Sequence, residues 1–380
     1  MPFTGRATYD NTTALAEDVS DIVSMISPFE TPLLDFLGDA ARPATNTLHE
    51  WLEESLGPPS IIASTAINSA TASTTFRING SGGSIQIGDQ LRITGNSSLA
   101  YEEILQVTAT ATDSITVNRG VGSVGPSSLA PGGSVELISN ATLEGADVTG
   151  DLSQNRTRKY NWVQQFVKPI DVSDTERAVR QLGNIGDEYD HQLEQRTREI
   201  VRDTERAVIL GVDAGNSYGS STAYRSMKGI WRYITTNDKN AATMSASFLT
   251  SVVVKSAWEA GGTDVDVIVA DANLKRDIDD FADSRIRTTQ DEETFRTEIS
   301  VFESSYGRQQ ILPPNRWMPT NSLMVLASDR INVVPLAGRS YQTEALAKTG
   351  TATGGMVVGE YTVEVRNESG LAKAFLGDAL

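Results

Sequence analysis

Few side chains in this 380-residue chain combine the type and spacing that reaction chemistry requires. The most suggestive string is Gly120-x-Gly122-x-x-Gly125, which matches the glycine pattern of a dinucleotide-binding turn. That chemistry needs a helix to open at the glycines, so that its N-terminus meets a pyrophosphate. Here Pro126-Ser127-Ser128 follows, so the string reads as a turn. Gly80-Ser81-Gly82-Gly83 lacks the lysine of a phosphate loop. The two histidines, His49 and His191, lie in different elements and do not form a histidine pair of metal-site spacing. No cysteine is present, which removes thiolate nucleophiles, thiolate metal sites and disulfides, and no Gly-x-Ser-x-Gly elbow presents a serine. Asp264, Asp266, Asp271, Asp277, Asp279 and Asp280 form an acidic cluster without the spacing of a calcium loop, and read as a solvated helix face with first-turn acids. The expectation is therefore a protein that is not an enzyme, with no catalytic residue, cofactor or metal.

A different chemistry is concentrated in residues 156–172. Arg156, Arg158, Lys159 and Lys168 make this stretch cationic, while Tyr160, Trp162, Phe166, Ile170 and Val172 share one parity and give a strand one apolar face. Lys159, Asn161 and Gln165 fall on the other face. Such a strand can stack nucleic-acid bases or press against another protein. The formal charge of −17 disfavours free nucleic acid, and contact between subunits is the better reading. Residues 46–56 offer the complement: Leu48, Trp51, Leu52 and Leu56 among Glu50, Glu53 and Glu54. The economical arrangement is a long hairpin of the acidic and basic arms with a module inserted between them. Trp51, Glu53, Glu54, Arg156, Arg158, Lys159, Tyr160, Trp162 and Phe166 are the expected inter-subunit contacts.

The elements around these arms follow from periodicity. Asp18 to Met25 forms a short amphipathic helix that either covers the chain's own core or docks on a neighbour; composition favours the first. Pro28 and Pro32 break it before an apolar patch of Leu33, Leu34, Phe36 and Leu37. Residues 60–73 read as a linker. Between Thr74 and Ile138, short β-rich pieces (Phe76–Ile78, Ile85–Ile87, Leu91–Thr94, Glu102–Thr108, Ser114–Asn118, Ser134–Ile138) alternate with Gly and Asn turns, which predicts a small all-β sandwich or barrel. Asp187 to Gly211 is one helix with a narrow stripe of Tyr189, Leu193, Ile200, Thr204, Ala207 and Val208, supported by Glu194–Arg198 and Asp203–Arg206 pairs. Beyond it, helices over Ala246–Ala260 and Asn273–Ala282 alternate with strands at Val265–Ala270, Thr297–Phe302, Gln309–Leu312, Ser322–Ala327, Asn332–Val334 and Val357–Val365.

The hydrophobic fraction of 39% is enough for a sizeable core, and the length allows two or three domains. The start carries no apolar signal core and no apolar run approaches the ~20 residues of a bilayer span, so a soluble protein made inside a cell, without a membrane partner, is expected.

In this order the residues resemble the major capsid proteins of tailed bacteriophages, with the α+β Hong Kong 97-type fold. The similarity rests on an N-terminal arm, on the extended pair around Leu48–Leu56 and Arg158–Val172, on the long helix after Asp-Val-Ser-Asp-Thr-Glu-Arg-Ala-Val (171–179), and on Ile-Leu-Pro-Pro-Asn-Arg-Trp-Met-Pro (311–319) leading into Ser-Leu-Met-Val-Leu-Ala-Ser-Asp (322–329). The β module, with Ser-Ile-Thr-Val-Asn-Arg-Gly (114–120), is similar to the inserted domain of one branch. The resemblance implies an N-terminal arm over residues 1–45 and extended-loop arms over 46–73 and 139–172. It implies an inserted β domain over 74–138, a peripheral domain over 173–235 and 295–340 with its spine helix at 187–211, and an axial domain over 236–294 and 341–380. It further implies a capsid-shell subunit of the virion, assembling as hexamers and pentamers around double-stranded DNA without sequence-specific binding. Scaffolding, portal and decoration proteins would be its partners. An acidic inner surface would let that DNA pack without sticking. Some relatives join a Lys to an Asn of the neighbour; Lys159 and Lys168 lie on the right arm, but no matching Asn or acid is evident, so no crosslink is expected. An encapsulin-like nanocompartment shell, or a tail or adhesin protein binding glycans through the β module, are the alternative readings.

Overall fold

The computed structural model describes residues 30–69, 74–78, 84–93, 103–122, 124–145, 151–179, 187–213, 218–261, 265–283, 301–348 and 350–377. The expected Asp18–Met25 helix, the turn at Gly80–Gly83 and Asp264 lie outside them. The chain divides into two compact units, Leu52–Arg158 and the remainder, Met1–Trp51 with Lys159–Leu380. Both boundaries fall within a two-stranded sheet of β1 (Leu48–Glu53) and β8 (Thr157–Trp162).

The smaller unit is all β. Strands β2 (Ser60–Ile62), β3 (Thr75–Arg77), β4 (Asp89–Ile93), β5 (Ile104–Ala111), β6 (Ser114–Asn118) and β7 (Ser134–Asn140) form one sheet in the order β2-β7-β4-β5-β6-β3. An Ala63↔Ile78 bridge joins the ends of the two outer strands and rolls the sheet toward a barrel. Alternate residues point inward: Leu91 and Ile93, Leu105 and Val107, Ile115 and Val117 are all buried. Two sequence expectations are corrected here. Residues 60–69 are not a linker, because Ile61, Ala63 and Ile67 are buried in this core and their backbone is paired. Ile85–Ile87 is not a strand but leads into a turn, where Gly88 (φ +95°) packs against the Ala141 carbonyl.

Among the described residues, two larger sheets belong to the larger unit. The first contains β9 (Gln164–Ser173), β15 (Ile331–Pro335), β16 (Gln342–Ala345) and β17 (Ala352–Val365), with β17 at its centre. The second runs β10 (Asp238–Ala241), β18 (Ala372–Leu376), β14 (Ser322–Leu326), β11 (Val267–Ala270), β13 (Gly307–Ile311), β12 (Val301–Ser304) in spatial order. Short helices α1 (Pro32–Leu37), α2 (Asp174–Ala178) and α4 (Ile230–Tyr233) flank the long α3 (Glu188–Leu210). Helices α5 (Ala246–Phe248) and α6 (Lys255–Glu259) continue each other through a π-helical segment, Leu249–Val254, and α7 (Ala272–Asp283) follows β11. One core forms where α3 meets β9 and β17, the other where the 246–259 helix and α7 cover β11, β14 and β18.

Helix α3 starts where the sequence predicts. The Asp187 side chain accepts from Tyr189 N–H, Glu188 and Asp190 favour the positive end, and Gly211 closes the helix. A side chain at Gly211 would collide with the carbonyls of Ala207 and Met227, so glycine is required where the loop crosses back. The predicted Glu194–Arg198 pair forms. The Asp203–Arg206 pair is corrected: Asp203 reaches across to Lys168 (2.5 Å) and Arg206 lies over the Trp317 ring, 5.4 Å from its centroid. Pro32 does more than end a preceding segment; it opens α1 at the position where its missing N–H costs nothing.

Candidate assembly surface

The two arms meet as strands, as their charges predict, but only over β1 and β8. From Gln164 onward the basic arm leaves this pairing, and β9 runs antiparallel to β17 from Gln164↔Tyr361 to Ser173↔Ala352. Phe166, Ile170 and Val172 of that arm therefore lie inside the chain's own core.

 The inward parity of Phe166, Ile170 and Val172 is as read from the sequence; what they pack on is α3 and β17 of the same molecule.

The predicted contact residues separate into two sets. Trp51, Trp162 and Phe166 are buried within the chain itself. Trp51 lies against the rings of His49 and Tyr233 (6.0 Å to each), and Trp162 meets Tyr218 edge-on at 4.8 Å. Glu54, Arg156, Arg158, Lys159 and Tyr160 are exposed and Glu53 is half-buried. Arg156 Nε approaches Glu54 Oε2 at 3.3 Å, an exposed pair that contributes about 0–1 kcal/mol. Beside these charges, Leu52 and Leu56 are 63% and 94% exposed, a large apolar area left in solvent by the isolated chain.

Several residues that organise this surface escaped the sequence reading. Asn161 was expected on the polar face but is buried. Its Nδ2 donates to the carbonyls of Lys228 (3.0 Å) and Val363 (2.7 Å), and its Oδ1 accepts from Lys228 N–H (2.8 Å). It thus supplies backbone partners where no strand reaches. Tyr233 Oη donates to the Tyr160 carbonyl (2.8 Å), and Lys228 Nζ sits 4.4 Å above the Tyr233 ring. His49 Nε2 lies 3.3 Å from Glu364, which also receives Arg366 Nε at 2.7 Å. Burial would raise the Glu364 pKa, but the contacts from His49 and Arg366 outweigh it and hold it at about 2.

Farther along, Glu205 on α3 is fully buried. It accepts from the N–H groups of Leu33 (3.1 Å) and Leu34 (2.8 Å) and from Asn315 Nδ2 (2.6 Å), which ties α1 and the 313–319 turn to the long helix. Burial pushes its pKa up in spite of those donors.

The strings tested for chemistry turn out to serve structure. Gly120 and Ser127 do hold an anion, but that anion is Glu103 of the same chain. Glu103 accepts from the N–H of Gly120 (2.9 Å) and Ser127 (2.8 Å), and from Arg119 through both oxygens (2.6 and 2.7 Å). Both side chains of that ion pair are essentially inaccessible to solvent. Desolvation alone would raise the Glu103 pKa; Arg119 and the two N–H donors bring it below its ordinary value. Asp266 accepts from Ser328, Asp271 from Asn321 N–H, and Asp279 from Lys275. His191 pairs with Gln195 on its own helix. No cluster of three potential metal ligands occurs among the described residues. Of the two arm lysines, Lys168 is engaged by Asp203 while Lys159 is exposed.

A family model described as SU10 major capsid protein matches residues 4–375. The chain belongs to that family. This capsid protein is accordingly a structural subunit of a phage head that joins copies of itself in the virion shell, in agreement with the Hong Kong 97-type resemblance. No curated protein matches its sequence. Among solved structures, it is similar to the Mycobacterium phage Cain protein at 9% identity, covering 99% of this chain and 100% of the other with a TM-score of 0.49. The capsid of Myoviridae phage XM1 matches at 10% identity over 98% and 100% of the two chains, TM-score 0.49. An encapsulin of Synechococcus elongatus matches at 10% identity over 59% of this capsid protein and 76% of its own chain, TM-score 0.41.

Proposed function

We propose that this capsid protein builds hexamers and pentamers of an icosahedral head by laying the 48–56 and 156–160 arms on neighbouring copies, and that the head encloses double-stranded DNA without reading its sequence. Scaffolding, portal and decoration proteins complete the particle, and the subunit itself performs no catalysis. The observation that carries this reading is the two-stranded sheet of β1 and β8. An isolated pair of strands is marginal in water, yet this one ends in exposed Leu52 and Leu56. Burying two leucines contributes about 3–5 kcal/mol per contact, enough to favour association when it recurs at every subunit. The net charge of −17 keeps the enclosed duplex from adhering broadly to the shell.

The test is sedimentation velocity with negative-stain microscopy of the purified chain, and of Leu52→Asp/Leu56→Asp. Wild type forms rings or shells, and the variant stays monomeric with an unchanged circular dichroism spectrum. A wild-type protein that remains a compact monomer at all concentrations, with 48–56 protected from hydrogen exchange, overturns the proposal.

A further inference from the structure

At the base of the arm, three cations gather without carboxylate partners. Lys159 stands exposed on β8. Two residues on, Asn161 holds the backbone of Lys228 through both its N–H and its C=O. Tyr233, whose hydroxyl binds the Tyr160 carbonyl, carries Arg232 as its chain neighbour and the Lys228 ammonium over its ring. These contacts bring Lys159 and Arg232 each within electrostatic reach of Lys228, and none of the three forms an ion pair among the described residues. Most other cations of the larger unit are paired: Lys168, Arg177, Arg196, Arg225, Lys275, Arg339. In a chain with 49 acidic residues against 32 basic ones, three adjacent unpaired cations are a cost in the monomer. Exposed aromatic surface adjoins them: Tyr160 is 37% exposed and Tyr218, packed on Trp162, is 65% exposed.

We infer that this patch is the receptor for the acidic segment 50–56 of a second copy, with Lys159, Lys228 and Arg232 taking Glu50, Glu53 and Glu54, and the tyrosines covering Leu52 and Leu56. The segment matches the patch in both respects, charge and apolar content, and its leucines are open in the free chain. A nucleic-acid phosphate backbone is the lesser fit, because the net charge of −17 repels an extended polyanion along its whole length, whereas the acidic segment is short and brings leucines with it. The contact is electrostatic at its rim, so it weakens with salt.

This rests on the assembly reading, and a charge exchange separates the two. Lys159→Glu/Arg232→Glu and Glu50→Lys/Glu54→Lys are each purified as full chains, checked for an unchanged melting profile, and examined alone and mixed. Each variant alone needs at least tenfold more protein than wild type to assemble, and the equimolar mixture regains most of the loss. Lys228→Gln, which keeps the backbone held by Asn161, raises the threshold less and flattens its salt dependence. If wild type assembles and the variants assemble equally well, or if mixing restores nothing, the receptor assignment is wrong. If the patch variant instead loses retention of duplex DNA at low salt while assembling normally, the patch serves nucleic acid and the assignment is likewise wrong. Failure of wild type to assemble at all strikes the assembly reading itself.

Discussion

Replacing Arg119 by Met tests the buried ion pair that the sequence disguises as a cofactor loop. Arg119 gives Glu103 two charge-assisted hydrogen bonds and donates to the carbonyls of Asn68 (2.8 Å) and Ser127 (2.7 Å). Methionine fills much of the same volume, so the packing loss is small. What remains is a carboxylate with no access to water, with the Gly120 and Ser127 N–H groups and, at 3.5 Å, the Ser127 hydroxyl as donors. Removing one partner of a buried pair costs about 3–5 kcal/mol. For a unit of about 100 residues, each kcal/mol moves the midpoint by about 4 °C, so the transition of the β unit falls by about 12–20 °C. Differential scanning calorimetry of the intact chain reads this shift, and hydrogen exchange over Ile104–Asn118 assigns it to the right unit. Adding Glu103→Gln removes the stranded charge and recovers part of the loss, though its Nε2 cannot accept from an N–H as the carboxylate did. The pH dependence follows from sign. The folded pKa of Glu103 is below its unfolded value, so the pair's contribution is complete above pH 4.5 and is lost as pH falls through the folded pKa. A midpoint shift under about 4 °C for Arg119→Met, or losses that simply add in the double variant, would refute this account.

Glu205→Ala leaves the Leu33 and Leu34 N–H groups and the Asn315 amide without their acceptor, at about 1–3 kcal/mol for each unsatisfied group; faster hydrogen exchange over residues 32–37 than in wild type is the expected readout. Gly359→Ala places a methyl 2.7 Å from the Tyr341 ring and lowers stability by about 1–3 kcal/mol in chemical denaturation, whereas Gly350→Ala, which meets nothing within 4 Å, changes little. Glu364, with its pKa near 2 against an ordinary 4.5, gives stability that is intact above pH 4.5 and disappears between pH 4.5 and 2; Glu364→Gln removes that dependence, as acid unfolding followed by tryptophan fluorescence will report.

The chain's local order was legible because it is written in short-range terms. The cap at Asp187, the closing Gly211 and the 3.6-residue stripe between them specify α3 whatever surrounds it, and inward alternation specifies β4 to β7 in the same way. The opposed charges of residues 46–56 and 156–160 were enough to pair β1 with β8. Tertiary structure decided everything that depends on a distant partner. Residues 60–69 carry too few apolar positions to look like strands, yet Ile61, Ala63 and Ile67 complete a barrel whose other strands begin later in the chain. Basic-arm residues 164–173 could have continued the hairpin; they join β17 instead, some 190 positions away, because only there do Phe166, Ile170 and Val172 meet the apolar stripe of α3. Glu205, Asn161 and Glu103 read as ordinary polar residues on solvated faces. Each is buried, because the groups it satisfies (a helix start, a strand gap, an arginine) come together only when the chain is folded, and nothing within a few residues of any of them signals that partner.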